Sequence, residues 1–178
     1  MEKKRIDFIV KVGVFSAISF VLQVIGSMMA IKVSGFLEVE ISDLPAMIIS
    51  LAIGPFAGVM VEFIKNLLHT TMTSTGFVGE LANFVVNGVF VFVLGALYKK
   101  NKSKKGAIIS LIIATIALTV AGIFVNMFIM LPLYMPTADF ATKLNLAIYT
   151  IAPFNFVRGT VLSLITIFIY KRISGILK

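Results

Sequence analysis

Six apolar runs separated by short polar stretches constrain the fold of this sequence more than any other feature. Four of them reach about 20 residues, the length that a helix needs to cross a bilayer. Hydrophobic residues make up 59% of the 178 positions, more than one soluble core of this size can bury. Strict alternation of apolar and polar residues, the mark of barrel strands, is missing. We therefore predict an all-α integral membrane protein with spans near residues 8–29, 44–53, 55–68, 77–98, 107–131 and 148–169.

Basic residues cluster at one set of helix ends and orient the chain. They gather near the N-terminus, in the stretch 99–105 and near the C-terminus. Because loops rich in Lys and Arg stay in the cytoplasm, we expect both termini and the 99–105 loop to be cytoplasmic. The net charge of +8 thus orients a membrane protein, and we expect no nucleic-acid partner. Four of the eight acids fall in the opposite loops: Glu38, Glu40, Asp43 and Asp139.

The stretch 44–68 decides the number of spans. As one long helix it would give five spans, and the 99–105 loop could not then lie on the same side as both termini. A break at Gly54 and Pro55 makes two short helices. The chain then has six spans, and both termini and the 99–105 loop can lie on the same side of the membrane. We therefore predict six transmembrane helices, an extended outer loop between the first two, and Ser42 or Asp43 as the cap of the second helix. Without repeats or linkers, residues 1–178 form a single predicted domain.

Polar side chains inside the predicted helices mark the candidate site, because ionisable groups at membrane depth are costly and by default functional. Glu62 and Lys65 lie three residues apart, so they can instead pair with each other or with Glu80 and hold two helices together. Asn126 can likewise form a hydrogen bond between helices. Projected through six spans, the polar residues converge on one outward-facing pocket: Glu62, Lys65, Asn66, Glu80, Asn83, Asn87, Asn126, Asn155 and Arg158.

The sequence holds few groups that could catalyse a reaction. It has no cysteine and one histidine, His69, so a zinc site would need carboxylates for its other ligands. A serine nucleophile would have only His69 as its base, and no GxxxxGK[ST] phosphate loop is present. We therefore predict no enzymatic activity, no metal and no cofactor. Any uptake must be driven by an ion gradient or by a partner.

Small residues mark one face of the first helix. Gly13 and Ala17 are four residues apart, a spacing that lets a second helix approach closely. This face can pack within the bundle of this chain or dock onto a different subunit. The spacing alone leaves both uses open.

Five short motifs, taken together, resemble one family of transporters. They are Ser42-Asp43-Leu44-Pro45-Ala46, the Gly54-Pro55 turn that leads to Gly58, Glu62-Phe63-Ile64-Lys65-Asn66-Leu67-Leu68-His69, Gly79-Glu80-Leu81-Ala82-Asn83-Phe84, and Phe154-Asn155-x-x-Arg158-Gly159. Over nearly its whole length the chain resembles the riboflavin-specific substrate-binding subunits, the S components of RibU type, of energy-coupling-factor (ECF) vitamin transporters.

The resemblance implies a small receptor in the prokaryotic plasma membrane that captures riboflavin from outside as its transported ligand. The implied partners are a transmembrane T component, which docks on the Gly13 and Ala17 face, and two ABC-type ATPases. Their ATP hydrolysis would topple the S component and release the vitamin. The sequence departs from the family pattern at Glu40, where Asp is expected, and at Arg158, where Lys is expected.

A riboflavin pocket needs flat apolar walls and a few placed polar groups. Asn126 and Asn155 can offer both donor and acceptor to the ring edge, while Glu40 and Arg158 can bind hydroxyls. The guanidinium of Arg158 also suits a phosphate. Flavin mononucleotide, another vitamin, and an ion-coupled secondary transporter that titrates Glu62 or Glu80 therefore stay open as alternatives. The other candidate contacts are Leu37, Val39, Met47 and Phe154 as walls, together with Asn83.

Overall fold

The computed structural model describes residues 2–29, 32–33, 37–38, 41–72 and 77–173, which form a helical bundle. Its α-helices are α1 (Glu2–Met29), α2 (Leu44–Ala52), α3 (Pro55–His69), α4 (Val78–Lys100), α5 (Lys104–Val125), α6 (Leu131–Tyr134), α7 (Phe140–Leu146) and α8 (Ala152–Ile173). Two π-helical segments, Asn126–Met130 and Ala147–Ile151, connect α5 to α6 and α7 to α8. Between α1 and α2, strands β1 (Lys32–Val33) and β2 (Leu37–Glu38) pair antiparallel.

Four helical stretches are long and apolar enough to cross a bilayer: Glu2–Met28, Val78–Lys100, Lys104–Tyr134 and Phe140–Tyr170. They match the four long predicted spans but continue beyond the apolar runs. For example, α1 begins at Glu2 rather than at residue 8, and α4 ends at Lys100 rather than at residue 98. Lys and Glu are good helix formers, so the helices extend into polar ends that hydropathy alone excludes.

The predicted break between α2 and α3 is confirmed. Gly54 has a φ of 140°, a conformation that glycine adopts at little cost, and Pro55 begins α3. With 9 and 15 residues, the two helices are about 14 and 23 Å long, shorter than the roughly 30 Å hydrocarbon core. Every side chain from Leu44 to Leu51 is buried. Helix α2 is therefore surrounded by protein.

The principal core is built around α4, which packs against α2, α3 and α5. The Ser50 hydroxyl donates to the Val91 carbonyl at 2.6 Å, which ties α2 to α4. A Cβ atom built on Gly95 of α4 would lie 2.3 Å from Ser50 Oγ and 2.8 Å from the Pro55 backbone. Glycine at position 95 therefore lets α4 contact the turn between α2 and α3 directly.

Gly95→Ala should lower the free energy of unfolding by about 1–3 kcal/mol, because the added methyl group overpacks this crossing. The matched control is Gly88→Ala on the same helix, where the nearest atom to the new Cβ would be Phe84 Cε2 at 3.7 Å. That change should be neutral or stabilise by up to about 1 kcal/mol through helix propensity. Thermal unfolding followed by circular dichroism in detergent compares them. Equal losses at both positions would contradict the packing explanation.

Candidate ligand-binding site

Asp43, the residue before α2, is the centre of a buried charge network. One carboxylate oxygen accepts a hydrogen bond from Lys65 Nζ of α3 at 2.6 Å, and the other accepts one from the guanidinium of Arg158 on α8. The side chains of Asp43 and Lys65 have no exposed surface. The sequence predicted Asp43 or Ser42 as a cap; α2 does follow Asp43, but the side chain makes no capping hydrogen bond. Two cations bind this carboxylate instead.

Glu62 extends the network along α3. Lys65 Nζ lies 2.7 Å from Glu62 Oε2, which confirms the pair predicted from their spacing. Asn66 donates from Nδ2 to the Glu62 carbonyl at 2.8 Å and to Oε2 at 3.4 Å. Glu62 Oε1 and Asn66 Oδ1 are buried and accept no hydrogen bond from the part of the chain that is described. This end of the network therefore has acceptor capacity that the described contacts do not use.

A second branch leads from Arg158 to α4. Arg158 Nη1 donates to Asn87 Oδ1 at 3.4 Å, and Asn87 Nδ2 donates to Asn83 Oδ1 at 2.9 Å. Two formal negative and two formal positive charges, on Asp43, Glu62, Lys65 and Arg158, balance within the network, which makes their burial at membrane depth tolerable. The network joins α2, α3, α4 and α8. It contains two of the residues predicted as ligand contacts, Asn83 and Arg158.

Asn126 and Asn155 both lie next to one glycine of α5, Gly122. Asn126 donates from Nδ2 to the Gly122 carbonyl at 2.8 Å, and a Cβ atom on Gly122 would lie 2.6 Å from Asn155 Nδ2. Asn155 in turn donates to the Ile151 carbonyl at 3.0 Å. Each amide uses one N–H on its own helix and retains a carbonyl oxygen and a second N–H for another partner. The structure thus brings together the two predicted ring-edge contacts.

The two π-helical segments adjoin these asparagines. One begins at Asn126, and the other ends four residues before Asn155. They contact each other and bury a small apolar cluster, against which Phe154, a predicted wall residue, also packs. π-Helical turns occur frequently at functional sites. The buried members of this cluster are Met127, Leu131, Ala147 and Ile151.

The other predicted contacts lie elsewhere. Met47 is fully buried in the principal core, where the Thr166 hydroxyl donates to its sulfur at 3.5 Å. Val39 and Glu40 lie outside the described residues. Only the backbone of Leu37, in β2, is described. The described part of the site is therefore formed by α4, α5, α8 and the π-helical segments.

A polar contact that the sequence did not indicate joins α1, α3 and α4. His69 Nδ1 lies 3.1 Å from Glu80 Oε1, and His69 Nε2 lies 3.4 Å from Ser27 Oγ. The order of serine, histidine and carboxylate resembles that of a hydrolytic triad, but Ser27 Oγ already donates to the Gln23 carbonyl at 2.9 Å. A nucleophile needs its proton directed at the base. This contact therefore connects three helices and provides no activated serine.

The small-residue face of α1 points away from the bundle. Gly13 and Ala17 are exposed, and a Cβ atom on Gly13 would meet nothing within 4 Å in the described structure. The buried face of α1 carries Val12, Ser16 and Ser19 instead. Of the two predicted uses of Gly13 and Ala17, packing inside the described bundle is excluded.

Comparison with known proteins gives consistent matches. A family model described as the substrate-specific component of ECF transporters matches residues 7–170. The riboflavin transporter RibU of Staphylococcus aureus is 36% identical, over 99% of this chain and 94% of its own length. The riboflavin transporter FmnP of Bacillus subtilis is 30% identical, over 96% and 93%.

Solved structures agree with these matches. A structure of the S component of a bacterial ECF transporter superposes with a TM-score of 0.82 at 31% identity, covering 100% of this chain and 99% of that one. ThiT from Listeria monocytogenes shares the fold, with a TM-score of 0.58 at 16% identity and coverage of 92% and 94%. The resemblance carried by the five motifs is therefore confirmed. This chain belongs to the family of substrate-specific S components of ECF transporters, which are transport subunits and not enzymes.

Proposed function

We propose that this chain binds riboflavin on the outer side of a prokaryotic plasma membrane and delivers it to an ECF transporter. The observation that carries the proposal is the near full-length similarity to riboflavin transporters of two bacteria. The pair of asparagines at Gly122 supports it chemically. The uracil-like edge of the flavin ring alternates donors and acceptors, and an amide side chain can offer both.

The proposed pocket lies where α5 and α8 meet the π-helical segments. Asn126 and Asn155 bind the edge of the ring system, and Phe154 provides an apolar wall beside them. Arg158, connected to Asn83 through Asn87, lies one helical turn further along α8 and binds ribityl hydroxyls. The loop between α1 and α2 closes over the ligand. Its proposed contacts are Leu37, Val39 and Glu40, and Met47 supports the pocket from the core.

The charge network favours riboflavin over flavin mononucleotide as the ligand. The guanidinium of Arg158 is bound to the Asp43 carboxylate and to Asn87, so its charge is already balanced. A phosphate at Arg158 would bring additional negative charge next to Asp43 and compete with it for the same cation. The hydroxyls of riboflavin need donors and acceptors but add no charge. We therefore propose the neutral vitamin as the preferred ligand.

The proposed orientation places this pocket outside. We propose six membrane segments, in which α2 and α3 are shielded by the longer helices, and cytoplasmic N- and C-termini. The support is that the lysines between α4 and α5 lie at the end of the bundle opposite Asn126, and basic loops stay in the cytoplasm. Residues 1–178 act as a single domain in this arrangement. A pocket at the outer end is reachable by an external vitamin.

The proposed partners are a T component and two ABC-type ATPases. The sequence contains no phosphate-binding loop of its own, so the chain needs partners to use ATP. Gly13 and Ala17 supply two exposed positions of α1 without bulky side chains, where a helix of the T component can approach closely. The docking face and the vitamin pocket then use different helices.

A visible absorption spectrum of the detergent-purified protein tests the proposed function, followed by mass spectrometry of the small molecule that denaturation releases. We expect a yellow protein that releases riboflavin. Release of flavin mononucleotide would overturn the preference for the neutral vitamin. A colourless protein that also fails to bind added riboflavin would overturn the substrate. Uptake by this chain alone in liposomes would point to ion coupling instead.

Asn126→Ala should weaken riboflavin binding by about 5- to 30-fold, the equivalent of one or two lost hydrogen bonds. Asn145→Ala is the matched control, because Asn145 is exposed on α7 and lies outside the proposed pocket. Titration with riboflavin, followed by quenching of its fluorescence, measures both dissociation constants. Unchanged binding by the Asn126 variant would remove this residue from the proposed site.

A further inference from the structure

A cavity lies at the other end of the molecule from Asn126 and Asn155. It has a volume of about 310 Å³ and opens between the ends of α4, α5 and α8, beside the loop that joins α4 to α5. None of the residues in the proposed vitamin pocket lines it. Its floor is apolar and includes Leu51, Leu111 and Ile167.

Two tyrosines form one wall of this cavity. The rings of Tyr98 and Tyr170 pack edge to face, with centroids 5.9 Å apart and an angle of 86° between the ring planes. The Tyr170 hydroxyl lies 3.5 Å from that of Tyr98 and donates to it. Tyr98 is buried. The cavity therefore combines an apolar floor with two hydroxyl groups held in fixed positions.

The mouth of the cavity is basic, and the loop that forms it is tightly folded. Lys102 and Lys104 both line the cavity and are exposed. Between them, Ser103 caps α5 by accepting a hydrogen bond from the Gly106 N–H at 3.0 Å. A Cβ atom on Gly106 would lie 2.0 Å from the Asn101 carbonyl oxygen, so the loop packs directly on the first turn of α5. This packing holds both lysines at the rim.

The cavity is also continuous with the surface that faces lipid. Ile108 lines it and is 47% exposed, and Ile112, one turn further along α5, is 57% exposed. A molecule seated in the cavity can therefore extend an apolar chain along α5. A soluble anion would meet the two ammonium groups but would gain nothing from the apolar floor or from the isoleucines.

We propose that this cavity binds an anionic phospholipid of the surrounding leaflet. The lysines bind the phosphate, the tyrosine hydroxyls bind polar atoms of the headgroup, and an acyl chain follows Ile108 and Ile112. Basic pockets between transmembrane helices at the cytoplasmic surface are suited to anionic headgroups, because that leaflet is rich in them. The proposal depends on the orientation proposed above and is independent of the identity of the vitamin.

Native mass spectrometry of the full chain in detergent tests this site with two added lipids, dioleoyl phosphatidylglycerol and dioleoyl phosphatidylcholine, and with inorganic phosphate. We expect one phosphatidylglycerol to bind in preference to phosphatidylcholine. The double variant Lys102→Gln/Lys104→Gln should weaken that binding by up to about 30-fold, because each lysine near an anionic surface contributes about a factor of five. Circular dichroism shows whether the double variant is folded, and this check does not depend on riboflavin binding.

The matched control is Lys99→Gln/Lys100→Gln, which removes the same charge from exposed residues that do not line the cavity. It should change phosphatidylglycerol binding by less than about twofold. The proposed site would be wrong if both double variants lost phosphatidylglycerol binding equally, or if the two lipids bound equally. Lipid would then be attracted to the charged surface in general and not to this cavity. Lysine-dependent binding of inorganic phosphate without phosphatidylglycerol binding would overturn the lipid as its ligand. Either result would leave the proposed riboflavin function intact.

Discussion

Asp43→Asn should lower the free energy of unfolding by about 3–5 kcal/mol, the cost of leaving a buried charge without its partner. The substitution keeps the shape of the side chain but removes the negative charge that Lys65 and Arg158 share. Because all three groups are buried, water cannot replace the lost interaction. Circular dichroism in detergent should show the unfolding midpoint falling by about 10 °C.

The control for this prediction is Asp7→Asn, which also removes one carboxylate from an ion pair. Asp7 lies 2.9 Å from Lys11, but its side chain is 60% exposed, so this loss should stay below about 1 kcal/mol. If Asp43→Asn and Asp7→Asn lower the free energy of unfolding by similar amounts, burial does not explain the effect at Asp43.

The double variant Asp43→Asn/Arg158→Gln tests the pair directly. Its loss in the free energy of unfolding should be about 1–3 kcal/mol smaller than the sum of the two single losses, because both partners of the ion pair are then neutral.

Gly13→Leu and Ala17→Leu should each abolish uptake in cells that carry the T component and the ATPases, while riboflavin binding to the purified chain stays within about twofold. A leucine on this face keeps a partner helix from approaching closely. The bundle itself should tolerate the change, because both positions are exposed and a Cβ atom on Gly13 has open space around it. Leucine is also a better helix former than glycine.

Thr160→Leu serves as the control for added bulk. Thr160 is exposed on α8, away from α1, and its hydroxyl only returns to the Phe156 carbonyl of its own helix. Uptake by this variant should remain near that of the unchanged protein. If both leucine variants of α1 still support uptake, this face is not where the T component docks. If they lose riboflavin binding, the substitutions damage the fold.

The helices could be predicted because their signals are local. Long apolar runs predict spans, and the Gly54-Pro55 pair predicts the break between α2 and α3, which the structure confirms. The π-helical segments could not be predicted in this way. The residues of Asn126–Met130 and Ala147–Ile151 also suit an ordinary α-helix. The wider turn forms where the two segments pack against each other, and that contact is not encoded in either segment alone.

The candidate site, like the helices, could be predicted from the sequence only in its local features. Asn126 and Asn155 stood out because amides are rare in such apolar segments, and the structure brings both of them to Gly122. The interactions of Asp43 were missed, because an acid just before a helix is typical of a cap. Its carboxylate binds Arg158, 115 positions away. A pairing between residues so distant depends on tertiary packing, which local sequence rules do not describe.

The separation of Asp43 and Arg158 by 115 positions along the sequence has a consequence for synthesis of the chain. While the ribosome has completed only the first three helices, Asp43, Glu62 and Lys65 carry a formal charge of −1 among them, and the balancing charge of Arg158 has not yet been made. Helices α2 and α3 are also too short to anchor themselves in the bilayer. The half-made protein is therefore expected to leave this acidic segment near the membrane surface, and arrival of the last helix completes its insertion.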